Sequence, residues 1–109
     1  MTVRELSRLD NFSEIILPDP DREISGGYVG DLLSWVMGRA ESGNAWITIM
    51  SNVNVLAVAT LADVSCVIIA EGVVLSEDVI SVAKEKEINL ISTSLPMFEA
   101  SVKLSEALR

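Results

Sequence analysis

The chain has no histidine. That absence removes imidazole general bases, histidine-held metal ions and phosphohistidine transfer at once. Cysteine is nearly absent too. Cys66 is alone, so no internal disulfide forms, and its apolar setting Val64-Ser65-Cys66-Val67-Ile68-Ile69 reads as core and not as a reactive thiol. Bases are scarce: 8 Lys and Arg face 16 Asp and Glu, a net charge of -8. That balance argues against nucleic acid or an anionic membrane surface as a partner. The longest uncharged stretch, Asn44 to Ala62, is interrupted by Thr48, Ser51, Asn52, Asn54 and Thr60, which makes it a poor membrane span. The first residues include Arg4, Glu5, Arg8 and Asp10 and offer no apolar leader, so a cytoplasmic location is expected. There is no Walker-type glycine-lysine motif, no paired-aspartate metal spacing and no nucleophile beside a base. The expectation is a non-enzymatic protein with no cofactor.

What is present is apolar. Half of the 109 residues are hydrophobic, which excludes disorder and allows one domain over residues 1–109. Mean hydropathy of +0.42 is high for a small monomer, and it predicts that some apolar surface lies in a homodimer contact. Trp35 lies off the stripe of Leu32, Val36 and Met37 and is the residue expected to face a partner subunit, whereas Trp46, within an apolar strand, is expected in the core.

The pattern of elements sets the fold class. Thr2 and Glu5 have capping-box spacing, predicting a helix over residues 2–9. A strand follows over 12–17, ended by Pro18-Asp19-Pro20, and a short strand over 23–29 is interrupted by Gly26-Gly27. Asp31 is the expected cap of the next helix. Strands over 45–50, 66–70 and 88–92 alternate with helices over 53–63, 76–87 and from Ser94 or Leu95 onward. The helix over 53–63 reads as buried on several sides, and Phe98, Val102 and Ser105 form a stripe on the last helix. Strand–helix units repeated three times imply parallel strands with right-handed crossovers. The expected fold is therefore α/β, a small, largely parallel central sheet with helices on both faces.

Two sets of residues are candidates for a ligand. Gly26, Gly27, Gly30 and Asp31 offer either an anion cradle or a glycine-bent strand, and Asp31 would repel a phosphate. Beside them, Asp21-Arg22-Glu23 reads as structural ion pairing or as an arginine fork for a ligand. The second set is polar residues just after strands: Ser51, Asn52 and Asn54; Glu71 and Gly72; Ser92, Thr93 and Ser94. Strand ends gather on one edge of a parallel sheet, where ligands bind, although Ser51 and Ser94 serve equally well as helix caps.

Asp21-Arg22-Glu23-Ile24-Ser25-Gly26-Gly27, followed by Tyr28-Val29-Gly30-Asp31-Leu32-Leu33-Ser34, resembles the DRTGG domain, with Asp21, Arg22, Gly26 and Gly27 matching its name motif. The likeness continues through Ala45-Trp46-Ile47-Thr48-Ile49, Asn54 to Ala59, Ile68 to Gly72 and Ile91-Ser92-Thr93. Asn52 stands where many relatives are expected to carry histidine. The resemblance implies a stand-alone DRTGG protein with a fold shared by the N-terminal domains of HPr kinase/phosphorylase and of Mur ligases. Such domains also lie between CBS domains in regulated pyrophosphatases and within some phosphotransacetylases, and stand-alone versions occur in anaerobic bacteria near hydrogenase and sensor-kinase genes. They are regulatory. The expected role is thus non-catalytic sensing of a nucleotide-like or phosphorylated ligand, or docking of a partner protein, with Gly26, Gly27, Gly30, Asp31, Asn54, Glu71, Gly72 and Thr93 as the ligand face. A pure interaction or dimerisation module is the alternative.

Overall fold

A computed structural model describes all 109 residues. The elements run α1 (Val3–Ser7), β1 (Phe12–Ile16), β2 (Gly26–Val29), α2 (Leu33–Arg39), β3 (Asn44–Thr48), α3 (Asn54–Ala62), β4 (Cys66–Ile69), α4 (Glu77–Glu85), β5 (Leu90–Thr93) and α5 (Met97–Ala107). The strands make one sheet in the order β1-β5-β4-β3-β2. The β2–β3, β3–β4 and β4–β5 pairs are parallel, and β1 joins β5 antiparallel. This is the α/β architecture expected from the strand–helix repeat.

The sheet divides two cores. Strand side chains alternate between faces. Trp46, Val67, Ile69 and Leu90 pack on one side against Val36 of α2, Val55, Leu56, Val58 and Ala59 of α3, and Val79 and Ala83 of α4. Ala45, Ile47, Cys66, Ile68 and Ile91 pack on the other against Val3 and Leu6 of α1 and Ala100 and Leu104 of α5. Both faces of the central strands are covered, so those strands lack polar alternation. Cys66 is fully buried, and burial pushes its thiol up to about 12. It is a core residue, as its setting implied. Trp46 is buried as well, its indole N–H donating to the carbonyl of Gly30 at 2.9 Å.

Local signals explain the helix ends. Thr2 accepts from the Glu5 amide and Glu5 accepts from the Thr2 amide, the full capping box. This hydrogen bonding holds the Glu5 carboxyl below its ordinary range. Ser76 accepts from the Val79 amide at 3.3 Å, with Glu77 and Asp78 in the first turn of α4 and Lys84 in the last, matching the helix dipole.

Three expectations are corrected. Asp31 does not cap α2. Its carboxylate instead accepts from the Thr48 hydroxyl at 2.6 Å and the Ile49 amide at 3.0 Å, satisfying a fully buried hydroxyl. Helix α3 is buried on one side only: Leu61 is 72% exposed. On α5 the stripe is reversed. Phe98 (74% exposed), Val102 and Ser105 face solvent, while Met97, Ala100, Leu104 and Leu108 face the sheet. Smaller shifts fall at ends: β2 starts at Gly26, leaving Glu23 in an isolated bridge to Thr2, and α1 spans Val3–Ser7, less than one turn shorter than the expected 2–9.

Candidate functional site

The parallel strands end, at their carboxyl side, in segments that carry most of the expected ligand residues. The β4 exit is a tight turn: the Val73 amide donates to Ala70 O at 3.2 Å, with Glu71 at φ 61° and Gly72 at φ 69°. Both central residues are left-handed, as a type I′ turn requires, which suits Gly72 and strains Glu71. The turn is fastened to the β5 exit. Glu71 N–H donates to Leu95 O at 2.9 Å and Gly72 N–H to Thr93 O at 3.0 Å. The Glu71 carboxylate accepts from the Met97 amide at 3.2 Å, at the start of α5. Thr93 donates to Asn11 O at 2.6 Å and accepts from the Leu95 amide at 3.1 Å. Lys103 of α5 donates to the Asn11 side chain at 2.9 Å.

Beside this fastening lies an open cleft of about 480 Å³. Ser13 and Ser92 face each other across the antiparallel pair and line its floor, together with Ile15. The segment Gly72 to Leu75 and Ile80 of α4 form one wall; Asn11, Phe12, Thr93 and Ser94 complete the rim. The hydroxyls of Ser13, Ser92 and Ser94 have no protein partner, and none is buried away from solvent. Val74 at the mouth is 87% exposed. The lining combines aliphatic walls, free hydroxyls and one amide side chain, and it holds no charged residue. Such a surface recognises an apolar or heteroaromatic body with hydroxyl or amine edges, and offers no cation to a phosphate.

The expected ligand residues fall into three places. Glu71, Gly72 and Thr93 come together at the β4 and β5 exits, and Gly72 and Thr93 line the cleft. Gly30 and Asp31, at the β2 exit, and Asn54, at the start of α3, share the carboxyl edge but sit two or three strands away, on the order of 10–15 Å. Asn54 is exposed, and its amide N–H donates to the Asn52 side chain at 2.9 Å. Gly26 and Gly27 begin β2 opposite Asn44 and Ala45, at the other end of the strand. They form a paired strand, and a Cβ on Gly27 would sit 2.8 Å from Leu104 Cδ2, so close packing of α5 accounts for that glycine.

Asp21 and Arg22 each make an ion pair within the chain. Arg22 donates to Asp63 O at 2.7 Å and pairs with its carboxylate at 2.9 Å, closing the C-terminus of α3, and Asp21 pairs with Arg4. Ser42 donates to the same Asp63 carboxylate; that hydrogen bond first, and Arg22 second, hold the carboxyl below its ordinary range. The lining residues that sequence reading missed are Asn11, Phe12, Ser13, Ile15, Val73 to Leu75 and Ile80; those on and just before β1 were hidden because β1 reaches β5 through an antiparallel pairing that leaves no local signature. A serine within the apolar run Phe12 to Leu17 was the one available signal.

No group of three His, Cys, Asp or Glu is arranged to hold a metal ion, and no helix is long and apolar enough to cross a membrane. Neither a family model nor a curated protein matches the chain. Among solved structures, it is similar to the CBS and DRTGG domains of the regulatory region of Clostridium perfringens pyrophosphatase, complexed with the activator diadenosine tetraphosphate. The TM-score is 0.67 at 20% identity, over 92% of this chain and 46% of that one. The chain thus spans less than half of that regulatory region, and what the two share is the fold.

Proposed function

We propose that this chain is a DRTGG-like regulatory domain, without catalytic activity of its own, that senses a small molecule in the cleft between the β1–β5 floor and the β4–α4 segment. The observation that carries this reading is the cleft itself: three unpartnered serine hydroxyls beneath aliphatic walls, at the carboxyl edge of the sheet. The fold it shares with a regulatory region complexed with a nucleotide activator supports a sensing role. The uncharged lining narrows the ligand to one whose buried part is neutral, such as a purine or ribose; any phosphate would project past the rim.

Thermal denaturation with adenosine, AMP and diadenosine tetraphosphate tests this. A ligand at 100 times its Kd adds about 2.7 kcal/mol, several degrees for a domain of this size. Adenosine is expected to shift the midpoint as AMP does, and Ser92→Leu, which fills the floor, is expected to abolish both shifts. No shift with any of the three, or shifts untouched by Ser92→Leu and lost in Asn54→Ala, would overturn the assignment to this cleft.

A further inference from the structure

The free side of β2 is built to receive another strand. β2 is a sheet edge, paired only with β3. Gly30 N–H donates inward to Ile47 O at 3.1 Å, so by alternation the N–H and C=O groups of Gly27 and Val29 point away from the sheet. Nothing blunts this edge. At the opposite edge, β1 carries the charge of Glu14, an irregularity between Glu14 and Ile16, and Pro18 just beyond, all devices that discourage strand addition. β2 reads Gly-Gly-Tyr-Val, with no charge, proline or bulge.

Alongside β2, between the strand and α5, runs a groove of about 330 Å³ lined by Gly27, Val29, Ser101, Leu104, Ser105 and Leu108, with Arg109 at its rim. It holds no Asp or Glu side chain, in a chain with 16 of them. A patch that meets its own copy across a two-fold axis sets like charges against each other, so a nearly neutral patch is what such a contact needs. The strand is also self-complementary. Val29 is a projecting side chain, 43% exposed, and Gly27, two residues earlier on the same face, has no side chain of its own, so that Leu104 packs against it and helps line the groove.

We propose that β2 pairs antiparallel with β2 of a second copy about a two-fold axis through Tyr28, making one continuous sheet. In that register Gly27 lies opposite the Val29 of the other copy, and the outward groups of these residues exchange four hydrogen bonds, two on each side of the axis. Opposed residues point to the same face, so each Val29 enters the groove beside the other copy's Gly27, against Leu104 and Leu108.

Sedimentation equilibrium on the full chain tests the pairing. Wild type at about 100 μM is expected at twice 11.8 kDa. Val29→Pro removes an outward donor that no bond within the protomer uses, and Val29→Lys places an ammonium in the groove. Both are expected at 11.8 kDa, with wild-type circular dichroism. If Val29→Pro fails to fold, Val29→Lys carries the test alone. A monomeric wild type overturns the proposal, as does a dimer that survives Val29→Lys, or one dissociated by Trp35→Ser and not by Val29→Lys.

Discussion

At the amino ends of the parallel strands, polar side chains are spent on closing the structure. Asn89, 2% exposed, donates to Asp19 O at 2.7 Å and Ser65 O at 2.9 Å and accepts from the Asp19 amide at 2.9 Å. Ser65 donates to Glu23 O, and Arg22 and Ser42 both reach Asp63. At the carboxyl ends, by contrast, Asp31, Glu71 and Thr93 make a few fastening bonds, while Ser13, Ser92 and Ser94 keep free hydroxyls over a cleft. Both ends are polar in sequence. The difference lies in whether the polar atoms point at backbone or at open space, and only the second kind is available to a ligand.

The largest expected effect comes from breaking the closed end. Asn89→Ala leaves the Ser65 and Asp19 carbonyls and the Asp19 amide without partners, and is expected to cost about 3 kcal/mol in urea unfolding. Ser76→Ala, at the carboxyl side, removes one cap bond and is expected to cost about 1 kcal/mol.

The acid limb sharpens the contrast further. The Asp63 carboxyl is lowered in the folded state, first by Ser42 and then by Arg22. Its contribution is therefore present above the ordinary carboxylate range, about 4, and is lost as pH falls through the lowered folded value. Ser42→Ala is expected to flatten the fall in midpoint temperature below pH 4; since Asp63 is exposed, the change is small. A profile parallel to wild type would remove Asp63 from the acid response. Smallest of all is Glu71→Gly. It relieves a left-handed residue but frees the Met97 amide, two opposing changes of about 1 kcal/mol, so stability should stay within about 0.5 kcal/mol of wild type. A loss above 2 kcal/mol would mean that the carboxylate holds the β4 exit as firmly as Asn89 holds the other end.

Local grammar made much of this readable. The Thr2–Glu5 box, the Ser76 cap, the apolar strands from Ala45 onward and the glycine after Glu71 each declare themselves within a few residues. What stayed hidden depends on distant partners. Asn89 looks like the middle of an ordinary strand until the segment at Asp19 is placed against it. Asp31 has the sequence of a cap, and only the buried Thr48 hydroxyl, a polar atom in an apolar run, hinted that a carboxylate was required elsewhere. On α5, Phe98 and Val102 outweigh Ala100 in hydrophobicity, yet Ala100 and Leu104 face the sheet because β2 offers Gly27 there and admits the helix closely. For the candidate site, Gly72 and Thr93 were legible as strand ends, whereas Ser13 and Ile15 entered only through the antiparallel pairing of β1.

That pairing has a consequence during synthesis. β1 is made early, but its only neighbour, β5, emerges from the ribosome more than seventy residues later. At roughly 5–20 residues per second, Ile15 and Ile16 wait on the order of 4–15 s before their place in the sheet exists. The charge on Glu14 and the prolines that follow Leu17 sit where a waiting apolar segment most needs protection from other nascent chains.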